Sequence, residues 1–467
     1  MKAAPRFELG IKDLQSSALP LGHAAALRSR LLKAQLISRC MTAPRLLVLS
    51  NGHGEDLIAL RILEALRPLQ PELQVSVLPL VGLGSAFAAA EAAGWLRRVG
   101  RRQPLPSGGF SNQSPGGLLR DLAAGLPLLT AQQWHLVRRW GRGGAPVLAV
   151  GDLLPLLLAW AGGSPFGFIG TPKSDFTWRS APPAGWGCSA LADGYHRCKG
   201  SEWDPWEWAL MGSRRCRLLA LRDRLTARGL RRRGLAALAP GNPMLDGLEP
   251  AALPEPLQGR RRLLLLPGSR LPEASGNLAR LLAALPAGLP ADAPGWTLLL
   301  ATGSRPNQQE LAPLLAANGF RPCPPAADLG ASAAWERSGL ELQLGPGRFA
   351  AWAGWAELGL ATAGTATEQL VGLGVPALSL PGPGPQFKAG FARRQSRLLG
   401  GAVQPCHSAA ELARRLRQLL DDPRERQRLG RRGRLRMGPA GGSGRLAALI
   451  SSRLLAGPHV RGAVGQG

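Results

Sequence analysis

Three glycine-rich turns hold the residues of this sequence best suited to chemistry. The first reads Ser50-Asn51-Gly52-His53-Gly54-Glu55-Asp56 and follows the strand-like run RLLVLS (45–50). Gly52 and Gly54 permit tight backbone geometry and the close approach of a ligand, and the start of a following helix offers unpaired N–H groups. His53 can take a proton near neutral pH, and Asp56 or Glu55 can orient it or act as base itself. The third glycine of the dinucleotide fingerprint GxGxxG is missing. A plainer reading stays open beside it, in which Asp56 caps the helix and His53 is an ordinary turn residue.

The second turn is Leu266-Pro267-Gly268-Ser269-Arg270, at the end of a very apolar run, with Glu273 just beyond. Ser269 can cap the following helix and donate to a phosphate oxygen, and Arg270 supplies a planar, charge-assisted contact to a diphosphate. The third reads Ala363-Gly364-Thr365-Ala366-Thr367-Glu368-Gln369-Leu370 and continues through Gly382-Pro383-Gly384-Pro385-Gln386-Phe387. Small residues there let backbone amides meet phosphates, and a carboxylate or amide such as Glu368 or Gln369 is well placed for ribose hydroxyls. Gln386 and Gln395 add neutral donors and acceptors of the sort sugars require. The alternative is a plain turn and an amphipathic helix.

Turns of this kind need strands to present them, and the sequence supplies two series. RLLVLS runs into a helical pattern from Leu57 to Leu69, followed by strand-like QVSVLPLV (74–81), PVLAVGD (146–152) and FGFIGT (166–171). The second series begins at RRLLLLPGSR (261–270), with a helix over 276–285 and then WTLLLATG (296–303), ELQLG (341–345), LGLATAGTATEQ (358–369) and VPALSLPG (375–382). Strand, loop, helix, strand predicts an α/β chain of two doubly wound, Rossmann-like halves joined near Gly241-Asn242-Pro243. In such sheets ligands bind at the carboxyl ends of the strands, where all three turns fall.

A length of 467 residues with 45% hydrophobic content leaves ample material for two or three real cores. The best apolar run, Val147 to Trp160, is too short to span a bilayer and carries Asp152. The chain therefore reads as soluble or as sitting on a membrane surface. The formal charge of +27 comes from 57 Lys+Arg against 30 Asp+Glu, with only six Lys, 61 Gly and 41 Pro. That composition resembles a GC-rich coding bias more than a nucleic-acid footprint. The arginine clusters at 97–102, 228–233, 260–262 and 424–436 lack the interleaved aromatics of single-strand binders. What remains suits anionic lipid headgroups or phosphorylated ligands, and no nucleic-acid partner is expected.

The six cysteines are spread thinly with no CxxC pair, which fits a reducing compartment better than a disulfide framework. Cys188, His196, Cys198 and Cys216 could be put forward as zinc ligands, but their spacing lacks the close pairs of structural zinc sites, so no metal is expected. Trp178, Trp186, Trp203, Trp206 and Trp208 crowd into 31 residues. They predict either an excursion packing its rings into the N-terminal half or a surface loop touching lipid or a greasy acceptor. Residues 1–40 differ in texture from the rest and lack the apolar core of a secretory signal. They read as the product of an upstream misannotated start, with Met41 as the true one, or as a disordered extension.

The ordered motifs SNGHGEDL, PLPSGGFSNQSPGGLLRDL (104–122), GTPKSDFTW (170–178), WDPWEWALM (203–211), LRDRLTARGL (221–230), GNPMLDGL (241–248), LLPGSR, AGTATEQLVGLG, PGPGPQF and RMGPAGGSGRLA (436–447) together resemble the lipid-A-disaccharide-synthase-related family. The likeness runs from about residue 45 to 455. More distantly the chain is similar to lipid-A-disaccharide synthase and to other inverting GT-B glycosyltransferases that glycosylate lipids from UDP-sugars. The resemblance implies two Rossmann-like domains around a cleft, nucleotide held by the C-terminal one, no metal or other cofactor, and a final helix crossing back.

It further implies a diphosphate role for Ser269 and Arg270 and a nucleotide-phosphate role for Gly364, Thr365, Ala366 and Thr367. The synthase's acidic ribose-facing position falls on Gln369, one residue after Glu368, which is a departure, and Asn242 replaces its His before Pro243. Asp56 matches the end of its Gly-rich motif and Asp152 its strand-end Asp, whereas His53 has no counterpart. The base is then expected among Asp56, His53 and Asp152. The expected division is 1–43 extension, 44–240 acceptor-side domain, 241–435 nucleotide-sugar domain and 436–467 crossing helix and tail. The expected partners are a UDP-sugar, a lipid-linked acceptor and an anionic membrane surface, for a cytoplasmic chain that is at most peripheral on the inner face. Beside this stand an enzyme like UDP-N-acetylglucosamine 2-epimerase, or a non-catalytic nucleotide or lipid binder.

Overall fold

RLLVLS forms β1 (Arg45–Ser50), buried along its last five residues. The strands that follow it are β2 (Gln74–Pro79), β3 (Leu96–Arg98), β4 (Val147–Gly151), β5 (Phe166–Gly170), β6 (Cys216–Leu221) and β7 (Ala237–Leu238). They pair in the order β3-β2-β1-β4-β5-β6-β7, every pair parallel. These coordinates are a computed structural model that describes residues 43–101, 119, 122–123, 125–248, 251–289, 295–384 and 387–456. The expectations for residues 1–40 and for Gln386, and most of motif 104–122, lie outside the described residues.

The second sheet is built from β8 (Arg261–Leu266), β9 (Trp296–Thr302), β10 (Arg321–Cys323), β11 (Ala333–Arg337), β12 (Leu340–Pro346), β13 (Leu358–Ala361), β14 (Ala377–Ser379) and β15 (Val403–Pro405). Its order is β10-β11-β12-β9-β8-β13-β14-β15. Six strands, β12-β9-β8-β13-β14-β15, repeat the doubly wound parallel pattern, whereas β10 and β11 extend it antiparallel from β12 and so depart from a purely parallel sheet. The cause is local. Ser338 and Gly339 both take positive φ, 47° and 79°, the geometry of a two-residue hairpin turn that folds β12 back on β11. β4, β5 and β9 are buried throughout, as strands covered on both faces must be.

The helices used below are α1 (His53–Leu66), α2 (Leu126–Arg142), α3 (Leu153–Gly162), α4 (Ala190–Lys199), α5 (Pro205–Met211), α6 (Glu273–Gly288), α7 (Thr365–Gly372), α8 (Ala389–Leu398), α9 (Pro423–Met437) and α10 (Gly442–Leu449). α1 starts at His53, four residues earlier than the apolar pattern predicts, because the polar first turn carries no periodicity to read. After α9 the chain crosses back. Leu446, Ala447, Ile450 and Leu454 join the core of Leu46, Val48, Ile58 and Ile62 in the N-terminal half.

The linker is tied at several points. Asn242 Nδ2 donates to Met437 O (3.2 Å) and its Oδ1 accepts from Met244 N (3.1 Å). Asp246 accepts from Gly441 N (2.5 Å) and Ser443 N (2.6 Å), neutralising the amino end of α10. The tryptophan-rich excursion does more than pack into its own half. Trp203 is buried edge-on to Phe168 (5.5 Å between ring centres), but Trp186 stacks on His407 of the second half (4.2 Å, 14° between planes). Among the described residues no helix is long and apolar enough to cross a membrane.

Candidate functional site

The turn after β1 and the turn after β13 meet. A Cβ on Gly54 would stand 3.0 Å from Thr365 Oγ1, so the absence of a side chain at Gly54 is what lets the two halves approach here. Gly52 occupies the cap position of α1 without a side-chain cap, and Gly364 does the same for α7, so both helices present their first N–H groups toward this junction. The turn after β8 faces it as well. Ser269 and Arg270 are exposed, and the positive Arg270, after the larger effect of burial, pushes the His53 pKa below its usual value. Sequence expectation and structure part at Ser269: α6 starts only at Glu273, with Pro272 in its cap position, so Ser269 is too far upstream to cap it.

Three carboxylates converge on the junction, Glu55 and Asp152 from the N-terminal half and Glu368 from α7. Glu55 is half-buried, and its Oε1 accepts from Thr171 Oγ1 (3.4 Å). Burial raises its pKa, the charges of Asp152 and Glu368 add to that, and its own backbone N–H and Thr171 oppose it. Asp152 caps α3 through Leu154 N (3.2 Å) and accepts from Asn51 Nδ2 (2.5 Å). Burial raises its pKa too, against Leu154 N–H, Lys173 and Asn51. Glu368 pairs with Arg222 Nη2 (2.9 Å), whose Nη1 donates to Thr171 O (3.2 Å). Of the three, Glu55 has the weakest compensation, a single hydroxyl besides its own N–H.

The remaining expected residues divide by where their side chains point. Asp56 is 2% exposed and accepts from Ser50 Oγ (2.5 Å), and burial pushes its pKa up to about 7. It neither caps α1 nor reaches the junction, because four residues into the helix its side chain turns under β1. Thr367 donates to Ala363 O (2.6 Å) within its own turn. Gln369 donates to Met244 O of the linker (2.7 Å) rather than projecting toward a ribose, and Glu368 is engaged by Arg222. Gln395 donates to Gly364 O (3.2 Å), buttressing the phosphate-type turn from behind, while its Oε1 is buried with no partner. Ala366 and Thr365 stay half-buried on the cleft side.

The loop after β14 packs beside the second turn. Glu273 Oε1 accepts from Phe387 N (3.2 Å) and Arg280 Nη1 donates to Pro381 O (2.6 Å). Residue-type reasoning passed over Thr171, Lys173 and Arg222. A polar residue directly behind a buried parallel strand was the available signal, since Thr171 follows β5 and Arg222 follows β6. A small cavity of about 20 Å3 lies at the linker between Ile58, Thr171, Arg222, Asn242 and Met244. A broader recess of about 810 Å3 opens at the β10–β11 edge, and no candidate residue lines it. Among the described residues no three of His, Cys, Asp and Glu gather as a metal site, and Cys188 and Cys198 are exposed on the excursion.

Sequence comparison finds no matching family model and no matching curated protein. Solved structures do match. A Listeria monocytogenes protein described as a UDP-N-acetylglucosamine 2-epimerase is 13% identical over 88% of this chain and 97% of its own, with a TM-score of 0.52. A UDP-N-acetylglucosamine 2-epimerase from Neisseria meningitidis, solved with UDP-N-acetylglucosamine, is 13% identical over 88% and 99%, with a TM-score of 0.50. Identity at that level speaks for the fold alone. The chain is a GT-B-fold protein, two Rossmann-like domains whose glycine-rich turns face one another.

Proposed function

We propose that this protein is an inverting glycosyltransferase that moves a sugar from a UDP-sugar to a lipid-linked acceptor, in the manner of lipid-A-disaccharide synthase. The observation that carries the reading is the abutment of the Gly54 and Thr365 turns, with Arg270 on one side and the Glu55–Asp152–Glu368 cluster on the other. An acceptor hydroxyl attacks the anomeric carbon, the bond from that carbon to the diphosphate oxygen breaks, and the hydroxyl proton passes to a carboxylate. Glu55, with its raised pKa, is the best-suited acceptor of that proton, with Asp152 beside it. Charge building on the departing diphosphate meets Arg270 and the N–H groups at the start of α7. No metal or cofactor is called for in this scheme.

A second reading is a 2-epimerase acting on UDP-N-acetylglucosamine. It is supported by several proton-transfer groups, His53, Glu55 and Asp152, gathered at one junction, since epimerisation must remove and return a proton. One experiment separates the two. The protein is incubated with a panel of UDP-sugars and a lipid extract, and products are read by mass spectrometry. A new glycolipid plus UDP supports transfer; an isomerised UDP-sugar with no glycolipid supports epimerisation; binding without either product leaves a non-catalytic binder. Arg270→Ala is expected to abolish turnover and weaken UDP binding by about a hundredfold with the fold intact, and unchanged UDP affinity would defeat the assignment.

A further inference from the structure

α2 and α3 pack side by side on the outside of the first sheet, and the face they present is unusual for a water-exposed surface. Val137 and Gly141 of α2 lie against Gly162 of α3, where a Cβ at Gly141 would strike the Gly162 carbonyl. Trp134 stands two turns before Gly141, so it sits on the flank of α2 that faces α3. It is 40% exposed, and on α3 Leu157 and Trp160 are 38% and 39% exposed. Leu128, 58% exposed, extends the apolar surface on α2. α5, packed beside α3, adds the exposed ring of Trp206.

The charge that α2 and α3 bring to this face has one sign. Arg138, Arg139 and Arg142 are exposed on α2, and the Arg215 guanidinium lies 5.9 Å from the Trp160 ring. Neither helix contains a single Asp or Glu. Exposed tryptophan and leucine flanked by arginine with no acid between them match the boundary of an anionic bilayer, where rings enter the headgroup layer and guanidinium groups meet phosphate. The position suits this as well: Asp152 caps α3, so Leu157 and Trp160 lie about 8 and 12 Å along the helix axis from that residue.

We propose that the α2–α3 face docks this protein on an anionic membrane, with Trp134, Leu157 and Trp160 in the headgroup layer and Arg138, Arg139 and Arg142 on lipid phosphates. The docked face holds the carboxyl end of β4 within reach of a lipid headgroup. Only the purpose of docking, delivery of a lipid-linked acceptor, rests on the functional reading above; the docking itself does not.

The full chain is sedimented with vesicles of phosphatidylcholine containing about 30 mol% phosphatidylglycerol, and with phosphatidylcholine alone. Three variant pairs are compared: Arg138→Glu with Arg139→Glu, Leu157→Gln with Trp160→Gln, and, on α9 of the other half, Arg424→Glu with Arg431→Glu. Binding should require phosphatidylglycerol, and the first two pairs should each weaken it about tenfold or more, while the α9 pair changes it less than about threefold. No binding by the native chain overturns the proposal. Equal loss from the α9 pair also overturns it, since the charge of +27 would then be acting diffusely. So does a native chain that self-associates without lipid and becomes monomeric on Leu157→Gln with Trp160→Gln, which would make the face a contact between copies. UDP affinity of the first two pairs, measured in parallel, should match the native chain. The vesicles hold no acceptor, so loss of docking and loss of glycosyl transfer are read separately.

Discussion

Asp56 and Glu55 are neighbours in sequence with different surroundings. Asp56 lies under β1 with one hydroxyl as its partner, and its pKa of about 7 stands well above the ordinary 3.8. A carboxyl whose folded pKa is raised stabilises the fold fully below its unfolded pKa, and that contribution is lost as pH rises through the folded value. Stability should therefore fall by roughly 4 kcal/mol between about pH 4 and pH 7 on account of this residue. Urea denaturation across that range should show a decline in the native chain that is smaller by this amount in Asp56→Asn; parallel curves would refute the assignment. Glu55 faces the junction with Asp152 and Glu368 nearby. Glu55→Gln is expected to lower kcat about 10²- to 10⁴-fold with UDP affinity kept. The acid limb of the native pH–rate profile should lie above the range of an ordinary glutamate and disappear in the variant. Spacing could place both carboxylates in one turn; which of them reaches the cleft depends on how α1 sits against β1, and no local pattern encodes that.

α8 shows how one element serves both halves. Its Gln395 holds the Gly364 turn from behind, and on neighbouring turns Arg393 donates to Gly187 O (2.5 Å) and Arg394 pairs with Glu202 (3.0 Å). Arg397 grips Asp193 of α4 through both Nη atoms (2.8 and 3.1 Å) and also donates to Ser180 O and Trp178 O. The pair is buried, and it holds Asp193 below the usual carboxylate range. Removing one partner strands the other charge, so Arg397→Ala should cost about 3 kcal/mol and open residues 180–200 to limited proteolysis. Arg397→Lys should fall between, because it keeps the charge and loses the paired geometry. A melting temperature unchanged in both variants would mean that the excursion is not held by this contact. α8 reads in sequence as a plain amphipathic helix, and partners some 200 positions away leave no local trace. The tryptophan run did announce an excursion, yet its bridging of the halves depends on these arginines.

Across the whole molecule, several arginines serve as scaffolding. Arg45, Arg233 and Arg436 lie over Trp140, Trp208 and Phe176 at 4.4, 4.0 and 4.0 Å, and Arg426 and Arg434 close the carbonyl ends at Leu419, Leu420 and Leu373. The last described turns of the chain belong to the first core, where Ile450 is fully buried. Ile450→Ala should destabilise the protein by about 3 kcal/mol in urea denaturation, and a change below about 0.5 kcal/mol would mean that the crossing segment is not part of that core. The sequence by itself determined two doubly wound halves and the glycine-rich turns at their strand ends. Those properties follow from apolar periodicity and from glycine and proline placement, which act over a few residues. Only the tertiary structure decided that Gly54 meets Thr365, that Glu55 rather than Asp56 faces the cleft, that Gln369 and Asn242 serve the linker, and that α2 and α3 share a cationic, apolar face. Each of these depends on side chains far apart in sequence meeting at one place, and burial and desolvation there exist only once the chain has folded.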